Sequence, residues 1–162
     1  MSWVLYGERL TDSYFSGSPA IYQPFNVLRN LKLKAIRSWF IYFNNPSFTS
    51  LGARIYNDNG AGAPSDLLYT STKTWTAADI TTYDYAAKEL YFDFTNPVKL
   101  RAGVTYHFVP WVNGSALTSA AHLAWVKGYP DKNTSNGESA ELANVGNNPF
   151  YLALIGAIYD GV

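Results

Sequence analysis

Short runs of β-forming residues, each closed by a cluster of Gly, Pro, Asn or Ser, fill this chain, and no segment sustains a helical period. Ser16-Gly17-Ser18-Pro19, Asn44-Asn45-Pro46-Ser47, Asn57-Asp58-Asn59-Gly60 with Ala61-Gly62-Ala63-Pro64, Asn96-Pro97, Ala102-Gly103, Asn113-Gly114 and Gly146-Asn147-Asn148-Pro149 are the punctuation. The runs between them predict strands at Ala20 to Phe25, Leu31 to Phe43, Gly52 to Tyr56, Leu67 to Ser71, Glu89 to Phe94, Val104 to Val112, Ala121 to Val126 and Phe150 to Tyr159. About eight to ten strands at this spacing predict an all-β fold, an antiparallel two-sheet β-sandwich of jelly-roll-like type. With no linker, repeat or low-complexity tract, residues 1–162 read as a single domain.

Alternation within the runs sets their faces. Leu90, Phe92 and Phe94 share one side of their strand and Glu89, Tyr91 and Asp93 the other, the pattern of a half-buried strand. Leu31, Leu33 and Ala35 share an inward phase that a charged residue interrupts, so the long strand is expected to bend near Arg37-Ser38. Lys32 and Lys34 fall on its wet face. Thr76-Ala77-Ala78-Asp79 suits one helical turn, and the polar stretch from Tyr129 to Asn148 reads as a long exposed loop.

The last run is apolar on both sides. Phe150, Leu152, Leu154 and Ile158 lie on one face, and Tyr151, Ala153, Ile155, Ala157 and Tyr159 on the other. A two-layer sandwich buries one face only, so a loop of the same chain or a neighbouring subunit is expected to cover the second. Trp3-Val4-Leu5-Tyr6 is apolar in the same way and is a candidate cover. Trp3, Tyr6, Tyr151, Ile155 and Tyr159 are thus the candidate oligomer or partner interface.

Composition narrows the function classes. Charged residues make up 15% of the chain and balance at 12 basic and 12 acidic, whereas a nucleic-acid stripe needs a basic domain. Aromatic residues reach 17%, more than one small core hides, so some are expected at the surface, where a cluster marks a contact. The absence of cysteine excludes disulfides, thiol catalysis and Cys-based zinc sites. No stretch is apolar enough to span a bilayer, and Met1-Ser2-Trp3-Val4-Leu5-Tyr6-Gly7-Glu8 has no basic n-region or apolar h-region. The chain is therefore expected to stay in the cytoplasm or to leave by host lysis.

Chemistry-bearing residues are sparse. His107 and His122 sit in strands without a second ligand at metal spacing, and a zinc site needs three or four. The carboxylates are scattered, whereas a glycoside hydrolase needs two facing each other across a cleft. Nucleophile elbows and phosphate-binding glycine loops are absent. No catalytic residue, metal or cofactor is expected. The loop from Asn57 to Gly60 lacks the terminal Glu of a calcium loop, and a tight hairpin turn explains it better. Trp75, Tyr83 and Tyr85, with Trp111 as an addition, are aromatic candidates for stacking on a glycan, or plugs that close one end of the sandwich.

From Ala53 to Trp111 the chain resembles a family of extracellular and phage-associated β-sandwich domains. The residues that carry the likeness are Ile55-Tyr56-Asn57-Asp58-Asn59-Gly60, Ala63-Pro64, Leu67-Leu68, Phe92-Asp93-Phe94, Pro97-Val98 and Leu100-Arg101-Ala102-Gly103-Val104-Thr105-Tyr106. Gly103 suits a tight turn, and Tyr106 enters the next strand with a hydroxyl able to bond back to the loop, like a tyrosine corner. The family shares no catalytic residues, so the resemblance implies attachment or structural roles. Expected from it is a non-enzymatic virion-surface component, a capsid decoration (cement) protein or a head or tail appendage. Such a protein would form a homo-oligomer, a trimer at threefold capsid positions, and contact a major capsid or tail protein. A carbohydrate-binding or host-adhesion module is the alternative.

Overall fold

Strand length and turn chemistry build two five-stranded antiparallel sheets in the computed structural model, which describes residues 6–9, 14–15, 18–19, 22–80, 87–113, 122–127, 142–143 and 153–159. The strands are β1 (Tyr6–Arg9), β2 (Tyr14–Phe15), β3 (Ser18–Pro19), β4 (Gln23–Val27), β5 (Leu31–Phe43), β6 (Ser50–Asp58), β7 (Pro64–Thr70), β8 (Ala87–Leu100), β9 (Thr105–Asn113), β10 (His122–Lys127), β11 (Leu142–Ala143) and β12 (Ala153–Ile158), with one helical turn, α1 (Ala77–Ile80), between β7 and β8. The first sheet is centred on β5. On one side β5 pairs with β8 along its length. On the other it pairs with β12 over its first half and β10 over its second, and β1 adds to β10. The second sheet runs β11-β4-β9-β6-β7, and β2-β3 is a separate hairpin. From β4 to β12 the chain changes sheet at each successive strand except across the β6–β7 hairpin. The expected all-β sandwich is therefore the fold.

The eight predicted runs all appear as strands, Leu31 to Phe43 with the expected ends and the others with shifted ones. Three readings need correction. The long strand changes phase at Lys34 rather than at Arg37-Ser38. Lys34 is the extra residue in the pairing of β5 with β12, and it opposes the stretch from Phe94 to Pro97 in the pairing with β8. This bulge moves the inward set from Leu31 and Leu33 to Ile36, Ser38, Phe40 and Tyr42. Arg37 belongs to the new outer phase and pairs with Glu89 at 3.4 Å. Likewise, Asn96-Pro97 does not end a strand. It lies inside β8, at the bulge, where a residue without an N–H costs the ladder nothing. Of the stretch from Tyr129 to Asn148, expected as a long loop, Leu142 and Ala143 are the residues described, and they form β11, which pairs with the end of β4.

The core lies between the sheets. Phe92 and Trp125 of the first sheet meet Phe108 of the second and Phe40 of their own sheet, with ring centroids 5.6 to 6.4 Å apart. Trp125 is fully buried, and its indole N–H donates to the buried Ser38 hydroxyl at 2.7 Å, as a desolvated donor requires. Ile80 of α1 joins this core. Thr76 caps the turn: its hydroxyl accepts from the Asp79 N–H at 3.3 Å, while the Asp79 carboxylate accepts from the Thr76 N–H at 2.8 Å. Hydrogen bonding from the Thr76 backbone N–H, and then from its hydroxyl, holds the Asp79 carboxyl below its ordinary range.

The turn readings at Asn57 to Gly62 and at Gly103 hold. Asn59 Oδ1 accepts from the Ala61 and Ala63 N–H groups, and Gly60 and Gly62 take positive φ, closing the β6–β7 hairpin. Gly103 has φ +78°, and the Tyr106 hydroxyl accepts from the Arg101 N–H at 2.9 Å. Burial raises the Tyr106 phenol above its ordinary value, against that hydrogen bond.

Candidate functional site

The two sheets present unlike outer surfaces. On the second sheet the outward register comprises Arg54 and Tyr56 of β6 with His107, Val109 and Trp111 of β9. His107 and Val109 are fully buried and Tyr56 nearly so. His107 Nε2 lies 2.7 Å from Asp58 Oδ1, and the Tyr22 ring meets the imidazole edge-on at 5.2 Å. Asp58 also accepts from the Gly60 N–H at 2.7 Å. Its carboxyl is held below the ordinary range, first by the His107 bond and then by the turn N–H groups, against partial desolvation. Both carboxylate oxygens of Asp58 are engaged within the fold, as a hairpin turn requires. Strand β9 is thus buried on both faces, a property that the sequence suggested for β12.

On the first sheet the outward register is largely open. Tyr91 is 44% exposed, and Lys32, Lys34, Asp93, Lys99 and Ala157 are exposed. Arg37, Trp39, Glu89, Ile155 and Tyr159 are half-buried. Cross-strand register sets Tyr91 beside Arg37, Glu89 beside Trp39, and Ile155 beside Ala35, which lies beside Asp93. Strand β12 has the predicted two faces: Leu154 is fully buried inward, and Ile155, Ala157 and Tyr159 look outward. The Tyr159 ring has the Lys32 and Lys99 ammonium groups at 5.6 and 5.9 Å from its centroid. Toward β10 the surface closes, and Ile41 is buried.

Of the candidate interface residues, Ile155 and Tyr159 therefore share this open surface. Tyr6 begins β1 at the far edge of the same sheet, and Trp3 and Tyr151 lie outside the described residues. Tyr91 is legible from the sequence as outward, but alternation alone does not mark it as a contact. Its signal is an aromatic ring set between Glu89 and Asp93 in a wet register.

The aromatic candidates separate. Trp75 is half-buried and packs on the core. Its backbone bonds to Leu51 in both directions, and its indole N–H donates to the Tyr91 carbonyl at 2.9 Å. Thr72 N–H reaches the Asp93 carbonyl at 2.7 Å, so the segment from Ser71 to Trp75 stitches β6 of one sheet to β8 of the other. The Tyr91 ring stands at 89° to the Trp75 ring, 5.5 Å away, and the Lys73 ammonium lies 4.3 Å from the Trp75 centroid. Trp111 sits on the opposite side of β6, opposite Gly52, with the Arg54 guanidinium 3.9 Å from its ring centroid. Trp75 and Trp111 are not brought together, and Tyr83 and Tyr85 lie outside the described residues. Of the histidines, His107 is tied to Asp58, and His122 begins β10. Among the described residues no three His, Asp or Glu side chains converge as metal ligands, and no helix is long and apolar enough to cross a membrane.

No family model, curated protein or solved structure matches the chain.

Proposed function

We propose that this chain is a non-catalytic packing module, a structural component of a virion surface such as a capsid decoration protein or a head or tail appendage. The observation that carries the reading is the open outer face of the first sheet. It groups Tyr91, Trp39, Ile155, Ala157 and Tyr159 with alternating charges, the mixed aromatic and polar character of a protein contact. The resemblance of the turn-and-strand pattern to phage-associated sandwich domains supports the same role.

The test is sedimentation of the wild-type chain and of Tyr91→Asp across a wide concentration range. The wild-type chain is expected to form a concentration-dependent homo-oligomer and to co-sediment with capsids. Tyr91→Asp is expected to fold and to stay monomeric. A clean wild-type monomer at high concentration that ignores capsids overturns the reading. A second reading, glycan binding, draws on the right-angled Trp75 and Tyr91 rings with Lys73 alongside. Binding on a glycan array that Tyr91→Ala abolishes would favour it, and uniform silence would remove it.

A further inference from the structure

One corner of the molecule gathers cations that the sequence scatters. The β4–β5 loop and the β8–β9 turn meet there. Gly103 N–H donates to the Val27 carbonyl at 3.0 Å, Ala102 N–H to Asn30 Oδ1 at 2.9 Å, and Tyr159 N–H to the Asn30 carbonyl at 3.1 Å. Arg29 and Arg101 stand exposed on these two connections, and Lys32, Lys34 and Lys99 on the adjoining strands. Lys32 and Lys99 are direct cross-strand partners. Like charges in that position repel and destabilise a sheet. Among the described residues none of the five cations has a carboxylate within ion-pair distance, since the ion pairs there are Arg37–Glu89 and His107–Asp58. Among the described residues, this corner is a positive patch without a paired carboxylate.

The same two connections expose apolar side chains. Leu28 is 52% and Val104 39% exposed. A groove that tracks a nucleic-acid backbone needs a cationic stripe with stacking rings. A compact cationic cluster with open aliphatic side chains matches instead an acidic protein surface that carries its own apolar spots.

Resting on the packing reading, we infer that this corner is a docking site for an acidic protein partner, with the five cations facing carboxylates and Leu28 and Val104 making the apolar contact. Complementary charge there steers encounter and fixes orientation. It also gives the Lys32–Lys99 repulsion a purpose, because a partner's carboxylates relieve it.

The experiment measures binding of the full chain to three probes at low and moderate salt: a peptide alternating Glu and Leu, a peptide alternating Glu and Ser, and a double-stranded DNA oligonucleotide. The Glu/Leu peptide is expected to bind best, with affinity falling as salt rises. Lys32→Glu with Lys99→Glu, and separately Arg29→Glu with Arg101→Glu, are each expected to weaken it at least about tenfold. Leu28→Ser with Val104→Ser is expected to erase the difference between the two peptides. Lys99→Glu alone is the sharpest arm: it creates an opposite-charge pair with Lys32, so thermal stability should rise while affinity falls. Stability rising with affinity unchanged overturns the inference, as does DNA binding more tightly than the Glu/Leu peptide, or no peptide binding. Sedimentation keeps the two proposals apart. A monomer that binds the peptide removes the packing reading and keeps the corner. An oligomer indifferent to every charge reversal does the opposite.

Discussion

The outer faces of the two sheets differ in how completely the chain covers them. On the second sheet Tyr56, His107 and Val109 are sealed, and even an imidazole is fully buried there because Asp58 and Tyr22 meet it. On the first sheet Tyr91 and Ala157 stand open beside half-buried Ile155 and Tyr159. Both sheets have five strands and contribute to one core. The contrast separates residues that hold the fold from residues free to meet something else, and substitutions on the two faces should differ accordingly.

The largest effect is expected from Val109→Lys, which sets an ammonium in the sealed face directly opposite Arg54. A buried charge without a partner costs several kcal/mol, so denaturant unfolding should show a loss of about 3 kcal/mol or more. If the loss were under about 1 kcal/mol, the face would not be sealed in solution. Gly156→Ala comes next. A Cβ at Gly156 would run into the Lys32 carbonyl oxygen and the Leu33 backbone, where little can yield, so a loss of about 1–3 kcal/mol is expected. An unchanged unfolding midpoint would contradict the close approach of β12 to β5.

Asp58→Asn tests the seal through pH. The Asp58 carboxyl is depressed in the fold, so its stabilisation is present above the ordinary carboxylate range near pH 4 and is lost as pH falls through the lowered folded value. The variant should melt below the wild type at neutral pH, and the two curves should converge in acid. A gap that stayed constant down to pH 2 would show that the His107–Asp58 bond is not its source. The smallest stability change is expected from Tyr91→Asp, within about 1 kcal/mol as for an open position, although it is the substitution expected to abolish self-association.

The sequence announced the strands better than their neighbours. All eight predicted runs are strands because alternation and turn residues act locally. The phase change in β5 was visible, but its position was not, because the bulge at Lys34 is set jointly by β8 and β12. The double burial of β9 was hidden by polar Thr105 and His107. His107 is accommodated by a carboxylate from another strand, and no local pattern reports that. Of the open surface, Ile155, Ala157 and Tyr159 were legible from alternation, and so was the outward phase of Tyr91. The charged corner was legible only in half, since Lys32 and Lys34 read as a wet strand face. Lys99 and Arg101 join them through pairing between distant segments.

Strand order has a temporal meaning for a chain made from its N-terminus. Strand β1 finds its neighbour in β10, and the open face needs β12 beside β5. Nascent chains fold as domains emerge, and contacts between distant segments form late. Every strand up to β12 must therefore leave the ribosome before the outer face of the first sheet is complete.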